Sequence, residues 1–173
     1  MMELLILVDE NGDEVGVGEK LQVHREGRLH RAFSIFVFHP DGRLMLQRRA
    51  KSKYHSGGLW SNTCCGHPRP GEGTLEAAHR RLRDEMNFDC ELRYLSNFTY
   101  RAELDNQLVE WEFDNVFVGT YDQDPRPNAA EAEGWRWIDV EELKAMIRQA
   151  PGDFTYWLRV ALENLEFTPR ADG

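Results

Sequence analysis

Cysteine is scarce in this sequence, basic residues are outnumbered, and long apolar runs are missing. The 173 residues hold only three cysteines, Cys64, Cys65 and Cys90. So small and odd a number argues against a disulfide framework. Cys64 and Cys65 are sequence neighbours, badly placed to bridge each other, which weakens a redox-pair reading. No C-x-x-C spacing occurs, so a paired zinc-finger site is excluded. Lys and Arg number 21 against 30 Asp and Glu, for a net charge of -9. That balance disfavours nonspecific nucleic-acid binding, which needs a basic surface excess. No apolar run is long enough to span a bilayer. The opening stretch, MMELLILVDENGDEV, has acids early and no basic leader, so it reads as a first strand; a cytoplasmic location is the default expectation.

What is present fits one soluble domain over residues 1–173, with about 167–173 expected as a loose tail. There is no internal repeat. LLILVD (4–9) reads as a strand followed by an NGDE turn. FSIFVF (33–38) and RLMLQRR (43–49) flank HPDG as a hairpin. Residues 54–73 contain five glycines and two prolines, too many for regular structure. A helix is predicted from about Thr74, with Leu75, Ala78, Leu82 and Met86 on one face. Two strands follow, near 91–101 and 107–120. An acidic, proline-bearing loop (122–134) then leads to the short strand WRWI and a helix capped by Asp139. A last helix is predicted over roughly 153–165. Strands that do not alternate strictly with helices imply an α+β fold, a mixed sheet with helices packed on it.

Four patterns carry chemistry. In VEWEFDNVF (109–117), strand alternation puts Val109, Trp111 and Phe113 on one face and Glu110 and Glu112 on the other, with the two carboxylates about 7 Å apart along the strand. On a solvated face that pair is unremarkable. On a covered face it needs a cation or raised pKa values. His24, His30 and His67 lie in segments able to converge on those acids. Together they would form a nitrogen-and-oxygen site suited to manganese, magnesium or zinc. Singly, each is an ordinary histidine, and His39, His55 and His79 are read as structural. A local basic cluster, Arg48, Arg49, Lys51 and Lys53, precedes the glycine-rich stretch, and Arg80, Arg81 and Arg83 follow it. Lys51 and Arg83 suit solvated charge, but the cluster as a whole suits a small polyanion such as a diphosphate. Finally, GHPRPGEGTLEAAHRRLRDEMNF has the frame of a Nudix box, matched at Gly66, Glu72, Arg80, Leu82, Glu85 and Phe88. It departs at Arg81, Asp84 and Asn87. An arginine among the box carboxylates works against the multi-magnesium cluster that hydrolysis requires.

Over about Lys20 to Trp157 the chain resembles the type 1 isopentenyl-diphosphate Δ-isomerases, a Nudix-fold family. EKLQVH (19–24), RRAKSK (48–53), GLWSNTCCGHP (58–68), the altered box, VEWEFDNVF (109–117) and FTYW (154–157) carry the likeness. The resemblance implies a single-domain Nudix-like mixed sheet sandwiched by helices. It implies that Cys65 and Glu112 act from opposite sides of the substrate, with Tyr100 bonded near the carboxylate. It places a divalent ion (Mn2+, Mg2+ or Zn2+) on His24, His30, His67, Glu110 and Glu112. A second ion, Mg2+ arriving with the diphosphate, falls to Glu85 and the Cys65 backbone carbonyl. The diphosphate itself maps onto Lys20, Arg49, Lys53 and Arg81. No flavin is implied, and the partner is a small isoprenoid diphosphate met by a monomer or weak homodimer.

Moving a double bond in such a substrate fits protonation to a tertiary carbocation followed by deprotonation, because an isolated alkene C–H is too weak an acid for a side-chain base. That scheme needs an acid and a base on opposite faces and an aromatic face for the cation. Trp157 and Trp60 are the candidates for the last role, with Trp157 favoured by the resemblance and Trp60 equally suited to core packing; Trp111, Trp135 and Trp137 suit the core. The sequence leaves open which residue protonates. Two other readings compete: a Nudix hydrolase of a nucleoside or other diphosphate, and a non-catalytic, metal-stabilised binding module.

Overall fold

The computed structural model describes residues 2–167. Its central pairing is parallel. Strand β3 (His30–Phe38) runs beside β8 (Val109–Thr120) in unbroken register from His30 opposite Glu112 to Phe38 opposite Thr120. On its other side β8 pairs antiparallel with β7 (Leu92–Glu103), which sets Tyr100 opposite Glu112. The amino-terminal strands β1 (Leu4–Val8) and β2 (Glu14–Glu19) extend one edge. Strands β4 (Leu44–Arg49), β5 (Trp60–Ser61) and β9 (Ala132–Ile138) form the other side. The short β6 (Cys64–Gly66) lies along β3, with Cys65 opposite Ser34.

Successive residues of β3 point to opposite faces, and each face has its own helical cover. Phe33, Ile35 and Val37 pack with Ala77, Ala78, Leu82 and Met86 of α2 (Thr74–Met86). Phe36 on the other face packs with Leu143 of α3 (Val140–Gln149) and with Leu158, Ala161 and Leu162 of α4 (Tyr156–Asn164). Asp139 caps α3 by accepting from the amides of Glu141 and Glu142. The result is the expected α+β sandwich. Removing a fully buried anchor such as Leu82 would cost about 2–5 kcal/mol. No helix among the described residues is long and apolar enough to cross a membrane.

Several local readings change. Leu75 is exposed at 44%, so the buried stripe of α2 runs through Ala77, Ala78, Leu82, Glu85 and Met86 instead. The segment after the NGDE turn forms β2 and then α1 (Lys20–Glu26), which the pattern did not predict. Helix α1 is short and starts at Glu19, whose carboxylate accepts from the amides of Leu21 and Gln22. Glutamate is not among the usual N-cap residues, so the start gives no clear signal. The stop is more regular: Gly27 adopts φ 66°, the left-handed C-cap that glycine favours. In β8 the apolar face is the more open one. Val109, Trp111 and Phe113 are half-buried, while Glu110, Glu112 and Asp114 are buried. The expected tail lies outside the described residues except for Phe167, which packs 4.6 Å from the Phe36 ring.

Candidate active site

Four elements carry nitrogen and oxygen ligands to one point. Strand β8 supplies Glu110 and Glu112 two residues apart on its buried face. Strand register brings His30, at the start of β3, directly opposite Glu112. Helix α1 contributes His24, and the residue following β6 is His67. His30 Nε2 lies 3.3 Å from both Glu110 Oε1 and Glu112 Oε2. His24 Nε2 lies 3.0 Å from Glu110 Oε1, and His67 Nε2 lies 2.8 Å from Glu112 Oε2. The structure therefore gathers all five residues of the mapped set.

Hydrogen placement shows that the set suits a cation. His24 Nδ1 faces the Lys20 carbonyl at 2.7 Å, and His30 Nδ1 faces the Arg28 carbonyl at 3.0 Å. A carbonyl only accepts, so each Nδ1 carries a hydrogen and each neutral ring turns a lone pair on Nε2 toward the carboxylates. Lone pair against carboxylate is repulsive unless a proton or metal ion lies between them. His30 Nε2 is buried and has no hydrogen-bond partner. Burial alone would push His30 down, but its contacts with Glu110 and Glu112 outweigh that and hold it up to about 10. Burial likewise opposes ionisation of Glu110, yet its hydrogen-bonding neighbours hold its carboxyl well below the usual range. His24, His30, His67, Glu110 and Glu112 fit a divalent ion with these donors.

Beside this cluster lies the thiol. Adjacent residues of β6 face opposite ways, so Cys64 enters the core around Phe33 while Cys65 faces a cavity of about 820 Å³. Trp157, Tyr100 and Glu112 line the same cavity. Tyr100 donates its hydroxyl to Glu112 Oε1 at 2.6 Å, while Oε2 meets His67. Burial, reinforced by the Asp114 carboxyl, pushes the Cys65 thiol up to about 12, so it keeps its proton near neutrality.

One site residue went unnoticed in the sequence. Asn62 is completely buried, and its amide donates to the carbonyls of Ile35 and Cys64 at 3.0 Å each. Its Oδ1 therefore points the other way. It accepts from Cys65 Sγ at 3.2 Å, from the Trp157 indole at 3.1 Å and from Ser61 Oγ at 2.9 Å. Thiol and indole share one anchor. The signal was in the quoted NTCCGHP stretch, where a polar side chain stands three residues before the thiol. Gly66 is needed for a related reason: a Cβ there would lie 2.8 Å from the Phe33 ring and 3.0 Å from Arg81 Cγ.

The cavity lining also carries basic residues. Lys20, Arg49, Lys53 and Arg81 all line it. Lys20 pairs with Glu3 at 3.2 Å, and Lys53 with Glu131. Arg81 meets Glu85 at 2.6 Å and Glu131 at 3.4 Å. Arg49 is buried, donates to the His55 carbonyl and stands 5.1 Å from the Trp157 ring.

Two expectations require correction. Trp60 does not line the cavity; its ring packs against the core around Phe36, with the Arg48 guanidinium 5.8 Å away. His55, read as structural, has its Nε2 2.8 Å from Glu110 Oε2. A flexible-looking, glycine-flanked loop gave no periodicity from which that approach could be read. His39 and His79 stay outside, bonded to Asp41 and Asp89.

The sequence model of the NUDIX domain matches residues 28–158. The chain is 53% identical over 165 residues to the protein named isopentenyl-diphosphate Delta-isomerase 1 of Aromatoleum aromaticum, covering 95% of this chain and 93% of the relative. It is 45% identical over 175 residues to an isopentenyl-diphosphate Delta-isomerase of Halorhodospira halophila, with 99% and 100% covered. The chain belongs to the isopentenyl-diphosphate Δ-isomerase family. A crystallised protein of Deinococcus radiodurans shares the fold with a TM-score of 0.78 and 24% identity, covering 95% of this chain and all of that one. A MutT NUDIX hydrolase of Burkholderia pseudomallei gives 0.62 at 18%, covering 80% and 99%. Within the altered Nudix box two acids are paired with arginines. Glu72 is gripped by Arg80 at 2.8 and 2.9 Å, and Glu85 by Arg81.

Proposed function

We propose that this isomerase interconverts isopentenyl and dimethylallyl diphosphate in isoprenoid biosynthesis with Cys65 and Glu112 as its proton-transfer residues. The observation that carries the assignment is that a thiol from β6 and a carboxylate from β8 border one cavity, which has the Trp157 indole in its wall and Lys20, Arg49, Lys53 and Arg81 in its lining. The diphosphate is held by Lys20, Arg49, Lys53 and Arg81, which turns the alkene toward the thiol and the carboxylate. Adding a proton to the terminal carbon makes the tertiary cation. Taking a proton from the carbon on the other side completes the shift, so the two groups exchange one proton each with the substrate. The Trp157 ring offers its face to the cation. Tyr100 holds Glu112 in place through its short hydrogen bond.

His24, His30, His67, Glu110 and Glu112 would hold one divalent ion, Mn2+, Mg2+ or Zn2+. Glu85 and the Cys65 carbonyl would hold a second, Mg2+ arriving with the diphosphate. Bound there, divalent ions supply positive charge that neutralises the acids and the diphosphate. No flavin is needed. The enzyme acts in the cytoplasm on a small molecule, as a monomer or weak homodimer, without nucleic acid or membrane. The test is incubation with isopentenyl diphosphate and Mg2+ in heavy water, following deuterium into the dimethylallyl product. Cys65→Ala should abolish turnover, and full turnover in that variant would overturn the assignment.

A further inference from the structure

The loop between β4 and β5 brings one more histidine to the centre. The side chain of His55 is 8% exposed, and its Nε2 lies 2.8 Å from Glu110 Oε2. Glu110 thereby divides its two oxygens. Oε1 faces His24 at 3.0 Å, His30 at 3.3 Å and His67 at 3.8 Å, while Oε2 faces His55.

The neighbours of each ring separate the roles. His24 and His30 set their Nδ1 atoms against main-chain carbonyls, so in the neutral ring their Nε2 atoms carry the lone pairs. His55 Nδ1 instead faces Ser56 Oγ at 3.1 Å. A hydroxyl can donate, so His55 can accept from Ser56 at Nδ1 and present a hydrogen on Nε2. Nε2 stands 2.8 Å from Glu110 Oε2. Ser56 itself holds φ at 54°, a left-handed conformation uncommon for serine, in the loop that delivers the ring. The ring also meets the Trp157 indole edge-on, with centroids 5.7 Å apart and planes at 87°.

We infer that His55 is a positioning residue for the metal centre, donating to Glu110 Oε2 so that Oε1 alone is aimed at the ion. The inference rests on the proposed ligand set and adds to it a residue acting through Glu110. Hydrogen bonds of this kind fix the direction of a ligating carboxylate, and losing one typically weakens metal binding by about 10–100-fold. The rival arrangement makes His55 a ligand. His24, His55 and Glu110 also bring ligand atoms within 4.8 Å of one another, the geometry of a second ion sharing Glu110. The two arrangements differ in whether Nε2 carries a hydrogen or a lone pair.

Mn2+ binding to the full, chelator-stripped chain distinguishes them without reference to turnover. Free Mn2+ is measured by electron paramagnetic resonance after equilibrium dialysis, for wild type, His55→Ala and His55→Gln. A glutamine amide can donate toward Glu110 but offers no imidazole lone pair. The expected result is unchanged stoichiometry, an affinity about 10–100-fold weaker in His55→Ala, and recovery to within about threefold of wild type in His55→Gln. Unchanged affinity in His55→Ala overturns the inference, as does His55→Gln binding as weakly as His55→Ala. Loss of one bound ion in either variant also overturns it, in favour of the ligand role. If wild type binds no Mn2+, the ligand set itself fails and the inference falls with it, whereas normal wild-type binding with an indifferent His55→Ala removes the inference alone. His55→Gln keeps the test open should His55→Ala misfold.

Discussion

Asn62→Ala perturbs the thiol and the indole together while leaving both residues in place. The substitution removes the two donors that pair with the Ile35 and Cys64 carbonyls, and the one oxygen that accepts from Cys65, Trp157 and Ser61. The losses are unequal. The Trp157 indole keeps a second acceptor in Ser61 Oγ at 2.9 Å, and the thiol still borders the cavity. The two carbonyls lose their buried donor. At about 1–2 kcal/mol for each, the fold loses roughly 2–4 kcal/mol, a large share of a stability of about 5–15 kcal/mol. For a chain of this size that lowers the melting temperature by roughly 5–15 °C. The kinetic effect is separate. Without its acceptor the thiol can turn away from the substrate, and misplacement by about 1 Å can cost on the order of 100-fold. Asn62 is not among the residues lining the cavity and makes no hydrogen bond to the four proposed diphosphate cations. So kcat should fall about 100-fold while KM stays within about threefold. Calorimetry and steady-state kinetics at a temperature well below melting measure the two effects independently. A stable Asn62→Ala enzyme with kcat within threefold of wild type would refute the anchoring argument.

The remaining predictions concern single contacts. Cys64→Ala should cost about 1 kcal/mol in urea unfolding and leave kcat unaltered, because Cys64 is packed in the core; a large fall in kcat would reverse the assignment of the two cysteines. Tyr100→Phe deletes the hydroxyl bonded to Glu112 at 2.6 Å and should lower kcat/KM by about 10–100-fold, the range for a hydrogen bond to a charged group; unaltered kinetics would exclude a part for that bond. Metal-free protein should lose stability as pH rises from about 6.5, the ordinary histidine value, through about 10, because His30 is held up in the fold and its contribution is complete only below its unfolded value. Saturating Mn2+ should flatten that pH trend in melting temperature, and an identical trend with and without metal would count against the cluster as its site. The Arg80 hydrogen bond is the largest influence on Glu72 and lowers its pKa, so the pair contributes stability above the unfolded value near 4.5 and loses it as pH falls through the folded value. The melting-temperature gap between wild type and Arg80→Leu should therefore narrow below about pH 4.5, and a gap that widens in acid would contradict it.

Much of the architecture was legible because period and punctuation are local. Asp139 marked the start of α3, Thr74 the start of α2, and alternation in β8 separated Glu110 and Glu112 from Trp111. The short elements β2 and α1 were not legible. Each is stabilised by what it packs on, not by its own pattern, and α1 begins on an atypical cap. Trp60 and His55 exchanged expectations for the same reason. Nothing in GGLW or KYHS states which ring will meet the core and which will meet Glu110.

The sequence by itself determined the chemical inventory: the Nudix frame with arginine in place of a carboxylate, the lone useful thiol in NTCCGHP, and two strand carboxylates facing one way. Those follow from composition and from periods of two or four residues. Tertiary structure decided which face of β8 would be dry, that Asn62 would anchor both thiol and indole, and that a fourth histidine would reach Glu110. Contacts at the centre join residues as far as 86 positions apart, as His24 and Glu110 are, and a local pattern carries no information about a hydrogen bond closed only when α1 and β8 meet.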